Sequence, residues 1–222
     1  MKEEKSFLCE KGVSYLRKKD RKLAWLIDQI GEISYIDNKD DFQFLTEQII
    51  SQMLSIGVAD IMIRRLSDLC GGEIKSDVVC SLSIDELRNI GISARKAECI
   101  LQIASMMEVG VLDLKNLRGL SDMDIMKFLT SIKGIGSWTA KMYLYKLGRP
   151  NVLPYEDATF LSAYKWLYNT ENVKVQAIIH RCKKWSPYSS IATMYLYAAF
   201  DRRLTDTKSP RLKDLKYLIL MK

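Results

Sequence analysis

The chain has 222 residues, 48% of them hydrophobic and 27% charged, which suits one folded domain or two small lobes and excludes a disordered chain. No apolar run approaches the roughly 20 residues that cross a bilayer, and the opening "MKEEKSFLCEKG" lacks the apolar core of a signal peptide, so a cytoplasmic protein with no membrane contact is expected. Thirty-four Lys and Arg against 27 Asp and Glu give a net charge of +7, which favours polyanions but equally describes a generic lysine-rich surface until a phosphate-binding motif accompanies it.

Helices follow one another with no convincing strand. Residues 14–30, "SYLRKKDRKLAWLIDQI", put Leu16, Leu23, Leu26, Ile27 and Ile30 on one side of an amphipathic helix. The run 40–69 opens with Asp caps and carries Phe42, Leu45, Ile49, Met53 and Ile56 at helical spacing, with Gln48, Ser51, Gln52 and Ser55 as an uncharged polar stripe. That stripe either hydrogen-bonds inside the core or faces a partner. Ser83 with Glu86 reads as a capping box, Gly91 stops that short helix, and "SARKAECILQIASMM" begins another. Ser121 with Asp124 caps "SDMDIMKFLTSI". Further helices are expected over 157–168, 173–184 and 187–201, so the fold class is all-α. Cys9, Cys70, Cys80, Cys99 and Cys182 are odd in number and scattered, with no CxxC pair and only one histidine, His180. Isolated thiols are expected, without a disulfide framework, zinc site or iron–sulfur cluster.

The stretch "KGIGSWTAKMY", 133–143, is a tight glycine turn between two helical patterns. Gly134 and Gly136 let the backbone turn sharply and approach a partner closely, while Ile135 can plug the space between the helices. The N–H groups that open the second helix then present the positive end of its dipole to a phosphate. This is a helix-hairpin-helix pattern, and with the positive charge it points to nucleic acid ahead of a plain helical connection. Asp157 lies 21 residues beyond Gly136, after a proline and at the start of the next helix, where a carboxylate on its own reads as an N-cap.

Taken together, "SIKGIGSWTAKMYLYKLGRPNVLPYEDATF" resembles the helix-hairpin-helix DNA glycosylase superfamily, specifically the bacterial 3-methyladenine DNA glycosylase II type. "IISQMLSIGVA", "IGISARKAECI" and "WSPYSSIATMYLY" agree with it, so the resemblance spans about residues 40–200, with 1–39 as an N-terminal helical extension on a single core of 1–222. The resemblance implies two helical lobes with a cleft between them. It also implies a monomeric enzyme of base excision repair that binds double-stranded DNA containing a damaged base, close to the nucleoid. Such an enzyme flips out an alkylated purine of the 3-methyladenine or 7-methylguanine type and hydrolyses its N-glycosidic bond. A glycosylase for oxidised or deaminated bases, and a non-catalytic DNA-binding module, stand as alternatives.

Residue by residue, the resemblance places the catalytic carboxylate at Asp157, where it stabilises the oxocarbenium-like transition state or positions water, with adjacent Glu156 as competitor. Trp138 stands where bifunctional relatives carry a nucleophilic lysine, and neither Lys133 nor Lys141 matches that position. Water is therefore the implied nucleophile, with no lyase activity. Trp138 and Tyr197 fall on pocket aromatics suited to a cationic methylated base, although both rings also suit the core, and a pocket tyrosine is replaced by Met142. Gln52 reaches toward the active site and Met53 falls on the wedge that fills the gap left by the extruded base. Lys133, Gly134, Ile135, Gly136 and Thr139 form the phosphate-binding hairpin. The backbone carbonyls of Thr130, Ile132 and Gly134 are implied to hold a structural Na or K ion, and no cofactor is otherwise required.

Overall fold

The structure, a computed structural model, describes residues 2–33 and 40–210, with side chains from residue 10 onward. Among the described residues every regular element is helical: α1 (Lys2–Lys19), α2 (Arg21–Ile30), α3 (Asp41–Ser51), α4 (Ile56–Leu69), α5 (Ser76–Cys80), α6 (Ile84–Asn89), α7 (Ala94–Glu108), α8 (Leu114–Leu117), α9 (Asp122–Ser131), α10 (Ser137–Lys146), α11 (Ala158–Tyr168), α12 (Val175–Cys182) and α13 (Ser189–Asp201). Short 3₁₀ turns follow α12 and α13. The all-α expectation holds. The chain divides into two compact units, one made of α1, α2 and α11–α13, the other of α3–α10.

In the first unit, α2 packs on α1 and α13, and α13 also packs on α11. Leu16, Leu23, Leu26, Ile27 and Ile30 are buried as the 14–30 pattern requires, but the single helix expected there is two. Asp20 breaks it. Its carboxylate accepts the backbone N–H of Lys22 at 3.0 Å and of Leu23 at 3.2 Å, so it serves as the N-cap of α2. Lys184 at 2.9 Å, Trp185 Nε1 at 3.1 Å and the Tyr168 hydroxyl complete its shell. Burial alone would raise the Asp20 carboxyl, but the hydrogen bonds from Tyr168 and Lys184 outweigh it and leave the group below the usual carboxylate value.

In the second unit, α3 packs on α4, α7 and α10, and Phe42, Leu45, Ile49 and Ile50 fill its core side. Asp40 is the N-cap of α3. Asp41 behind it is 5% exposed and accepts Arg118 through two nitrogens at 3.0 and 2.7 Å, Lys146 at 3.4 Å and the Tyr143 hydroxyl at 3.1 Å. The helix expected over 40–69 is also two, because the chain leaves the helix after Ser51 and re-enters it at Ile56. As a result Met53 and Ile56, expected on the apolar face with Phe42, Leu45 and Ile49, are 100% and 64% exposed. The capping box at Ser83 and the cap at Ser121 are as the sequence indicates: Ser83 and Glu86 bond reciprocally, and the Ser121 hydroxyl accepts the Asp124 N–H.

Candidate functional site

The hairpin lies wholly in the second unit. Helix α9 ends at Ser131, the Ile135 N–H returns to the Ile132 carbonyl at 3.0 Å, and α10 starts after Gly136. Gly134 has φ +103°, a conformation that disfavours any side chain, and a Cβ there would stand 2.8 Å from Cys99 Sγ. The turn is therefore seated against α7. Burial pushes the Cys99 thiol up to about 11, so it acts as a packing surface with little thiolate character. Ile135 is 5% exposed and fills the space between the helices.

Gly136 differs from Gly134. Its φ is −94°, and an added Cβ would meet nothing within 4 Å. It is the N-cap of α10, supplies no side-chain cap, and no acidic residue follows in the first turn. The positive end of the α10 dipole is thus opposed by no carboxylate of its own first turn. Lys133 is exposed beside it. Thr139 is 1% exposed, and its hydroxyl accepts from Gln52 at 3.0 Å, so its side chain turns inward.

Gln52 follows the last residue of α3, and its amide donates to both the Thr139 hydroxyl and the Gly134 carbonyl, the latter at 3.1 Å. Its side chain braces the hairpin from within its own unit. Met53 comes next, with φ +57° and its whole side chain in solvent. On the first turns of α10, Trp138 is half-buried and Met142 is 8% exposed.

Thr130 lies in the last turn of α9, where a helix leaves acceptors without intrahelical donors, and Ile132 and Gly134 follow it in the turn. Ile132 O and Gly134 O each already accept one N–H, which leaves each a second lone pair. A set of neutral oxygens fits a hard monovalent cation.

The other candidate residues lie in the first unit. Asp157 is the N-cap of α11: its Oδ1 accepts the Phe160 N–H at 2.7 Å, and its own N–H donates to Pro154 O at 2.9 Å. The first bond fixes the half-buried carboxylate and the second its backbone. Glu156 is exposed. Tyr197 is half-buried against the core of this unit, which is built around Phe160, Tyr164 and fully buried Trp185.

One residue of the site enters the sequence reading only through the Lys-Ala pair of "IGISARKAECI", which gives it no role. Lys96, in the first turn of α7, donates from Nζ to the carbonyls of Ile50 and Gln52, both at 2.8 Å. Its signal was present in the sequence as an anomaly: "ARK" puts two cations at the positive end of a helix, where the dipole opposes them.

A protein-family model described as "HhH-GPD superfamily base excision DNA repair protein" matches residues 46–187. YfjP of Bacillus subtilis (strain 168) is 31% identical over 162 residues, covering 69% of this chain and 56% of its own, so the chain spans little more than half of that relative. The DNA-3-methyladenine glycosidase of Bacillus halodurans matches in structure with a TM-score of 0.76 at 33% identity, over 94% of this chain and 95% of the other. The Schizosaccharomyces pombe 3-methyladenine DNA glycosylase Mag1, solved with abasic DNA, has a TM-score of 0.81 at 23% identity, over 89% of this chain and 100% of the other, a likeness of fold.

Proposed function

Because the chain belongs to the HhH-GPD superfamily of base excision DNA repair proteins, we propose that it is a monofunctional DNA glycosylase that extrudes an alkylated purine from duplex DNA and hydrolyses its N-glycosidic bond. The observation that carries this reading is the arrangement of the second unit. An anion-attracting hairpin and a fully exposed, unbranched apolar side chain, Met53, are joined through one glutamine. A phosphate grip beside an apolar wedge is what base extrusion needs: the grip fixes register on the backbone, and the wedge fills the gap in the stack. A module that only held DNA would have no use for the wedge.

The roles follow from chemistry. Asp157, fixed by its N-cap bond, supplies negative charge where the sugar becomes positive as the bond to the base breaks, and water adds to the sugar. No lysine occupies the position of Trp138, so no Schiff base forms there and the product is an intact abasic site. The face of Trp138 suits a methylated, positively charged base by stacking and cation–π forces, as does that of Tyr197, while Met142 in place of a tyrosine removes one aromatic face. A monovalent cation held by Thr130, Ile132 and Gly134 would add positive charge next to the phosphate. The enzyme acts as a cytoplasmic monomer on nucleoid DNA and needs no iron–sulfur cluster.

Release of free base from methylated duplex DNA, identified by mass, tests this directly. Recovery of 3-methyladenine or 7-methylguanine is the expected result. Release of oxidised or deaminated bases alone would move the assignment to another branch, and tight binding without release would leave only a binding module.

A further inference from the structure

The turn that presents Met53 contains neither glycine nor proline, yet it breaks a helix and holds Met53 at φ +57°, a conformation disfavoured for a residue with a Cβ. Such a conformation persists only where the surroundings over-determine it. Two contacts do so here, one at each end of Gln52. Its side-chain amide is tied to Gly134 O and Thr139 Oγ1, and its backbone carbonyl is tied to Lys96 Nζ, which also holds the Ile50 carbonyl.

Lys96 is well suited to this. The last turn of α3 carries no basic residue of its own, so its end lacks a balancing charge, and while the Ile49 and Ser51 carbonyls accept the Gln52 and Leu54 N–H groups, those of Ile50 and Gln52 need a donor from elsewhere. Lys96 supplies both from a helix 44 residues on. Cys99, one turn further along α7 and on the same face, is the side chain against which Gly134 is seated. One face of α7 therefore touches the Met53 turn through Lys96 and the phosphate hairpin through Cys99.

We infer that Lys96 is a positioning residue for base extrusion, locking the turn at residues 52–55 so that Met53 is presented at a fixed offset from the hairpin. The inference rests on the glycosylase reading and extends it to a residue that touches neither base nor phosphate. Without the two carbonyl bonds, the turn relaxes, Met53 leaves the left-handed region, and the wedge no longer enters the stack when the hairpin grips the backbone.

The test compares Lys96→Met, which keeps the stem and removes the donors, with Lys96→Arg, which restores two donors. In the free protein, hydrogen exchange at residues 51–56 should quicken at least tenfold in Lys96→Met and return toward wild type in Lys96→Arg, while the hairpin amides change little. With DNA, a duplex carrying 2-aminopurine opposite an abasic analogue reports wedge insertion by its fluorescence. Lys96→Met should lose most of that signal and release base about 10- to 100-fold more slowly, with affinity for undamaged duplex within about threefold. Adding Lys96→Met to Met53→Ala should cost little more, because the lysine acts through Met53. Unchanged exchange at 51–56, or a full fluorescence signal from a folded Lys96→Met protein, overturns the inference. If Lys96→Met does not fold, a Lys96→Arg protein that folds yet releases base as slowly as Met53→Ala also overturns it. A wild-type protein that releases no base refutes the glycosylase reading instead, and the exchange result, which needs no DNA, keeps the two failures apart.

Discussion

The two hairpin glycines make a paired experiment in which one substitution damages the fold and the other tests only DNA. In Gly134→Ala, a side chain is forced into φ +103°, which costs about 1–2 kcal/mol. The new Cβ also stands 2.8 Å from Sγ and 2.9 Å from Cβ of Cys99, a residue that is 2% exposed and has nowhere to move, and overpacking of this kind adds about 1–3 kcal/mol. The sum, about 2–5 kcal/mol, should lower the melting temperature by roughly 4–20 °C for a chain of this length. In Gly136→Ala neither effect operates, because φ is −94° and the Cβ meets nothing. Loss of the preferred glycine at an N-cap, up to about 1 kcal/mol, is offset by a similar gain from a stiffer unfolded chain. The free protein should therefore melt within about 3 °C of wild type.

On DNA the order reverses in meaning. The methyl group of Gly136→Ala would occupy the space that a phosphate must enter to reach the N–H groups at the start of α10. Losing one charge-assisted hydrogen bond, about 1.5–3 kcal/mol, weakens binding by roughly 10- to 100-fold. Fluorescence anisotropy with damaged and undamaged duplexes over a salt series measures this, and both duplexes should weaken alike because phosphate contacts read no sequence. A Gly136→Ala protein that melts like wild type and binds both duplexes with unchanged affinity would show that DNA does not sit on this turn.

Asp157→Asn keeps the N-cap acceptor for Phe160, since Asn caps as well as Asp, but removes the charge; base release should fall by roughly 10² to 10³ with melting nearly unchanged, whereas Glu156→Gln should retain activity, and the opposite outcome would transfer the role to Glu156. Borohydride added to enzyme and damaged duplex should trap no covalent adduct, because Trp138 stands where a Schiff-base lysine would be needed, and a trapped complex mapping to Lys133 or Lys141 would contradict this. Asp20→Asn should lower stability by about 2–4 kcal/mol at neutral pH, seen in urea melts, because Lys184, Trp185 and Tyr168 lose a charged acceptor. The Asp20 carboxyl titrates lower in the folded than in the unfolded chain, so its contribution is present above pH 3.8 and lost as pH falls through the folded value; the gap between wild type and variant should close in that acid window, and a gap independent of pH would refute the ionic account.

Local signals determined a large part of this protein. The helical hairpin, the caps at Ser83 and Ser121, the all-α class and the buried face of Leu16 to Ile30 all depend on residues within a few positions of one another, where side-chain spacing and backbone donors are set by the chain itself. Gly134 and Gly136 look alike as letters, and their difference comes from Cys99, which sequence spacing does not bring near. The same holds for the breaks at Asp20 and after Ser51. Helical periodicity runs through both, since a period describes faces and carries no information about distant donors. Asp20 is held by Tyr168, Lys184 and Trp185, and the end of α3 by Lys96 and the hairpin, and those partners exist only once the units have folded. Met53 is the clearest case: an apolar residue at a core-like spacing belongs in the core on pattern alone, and only a turn clamped from another helix leaves it fully in solvent.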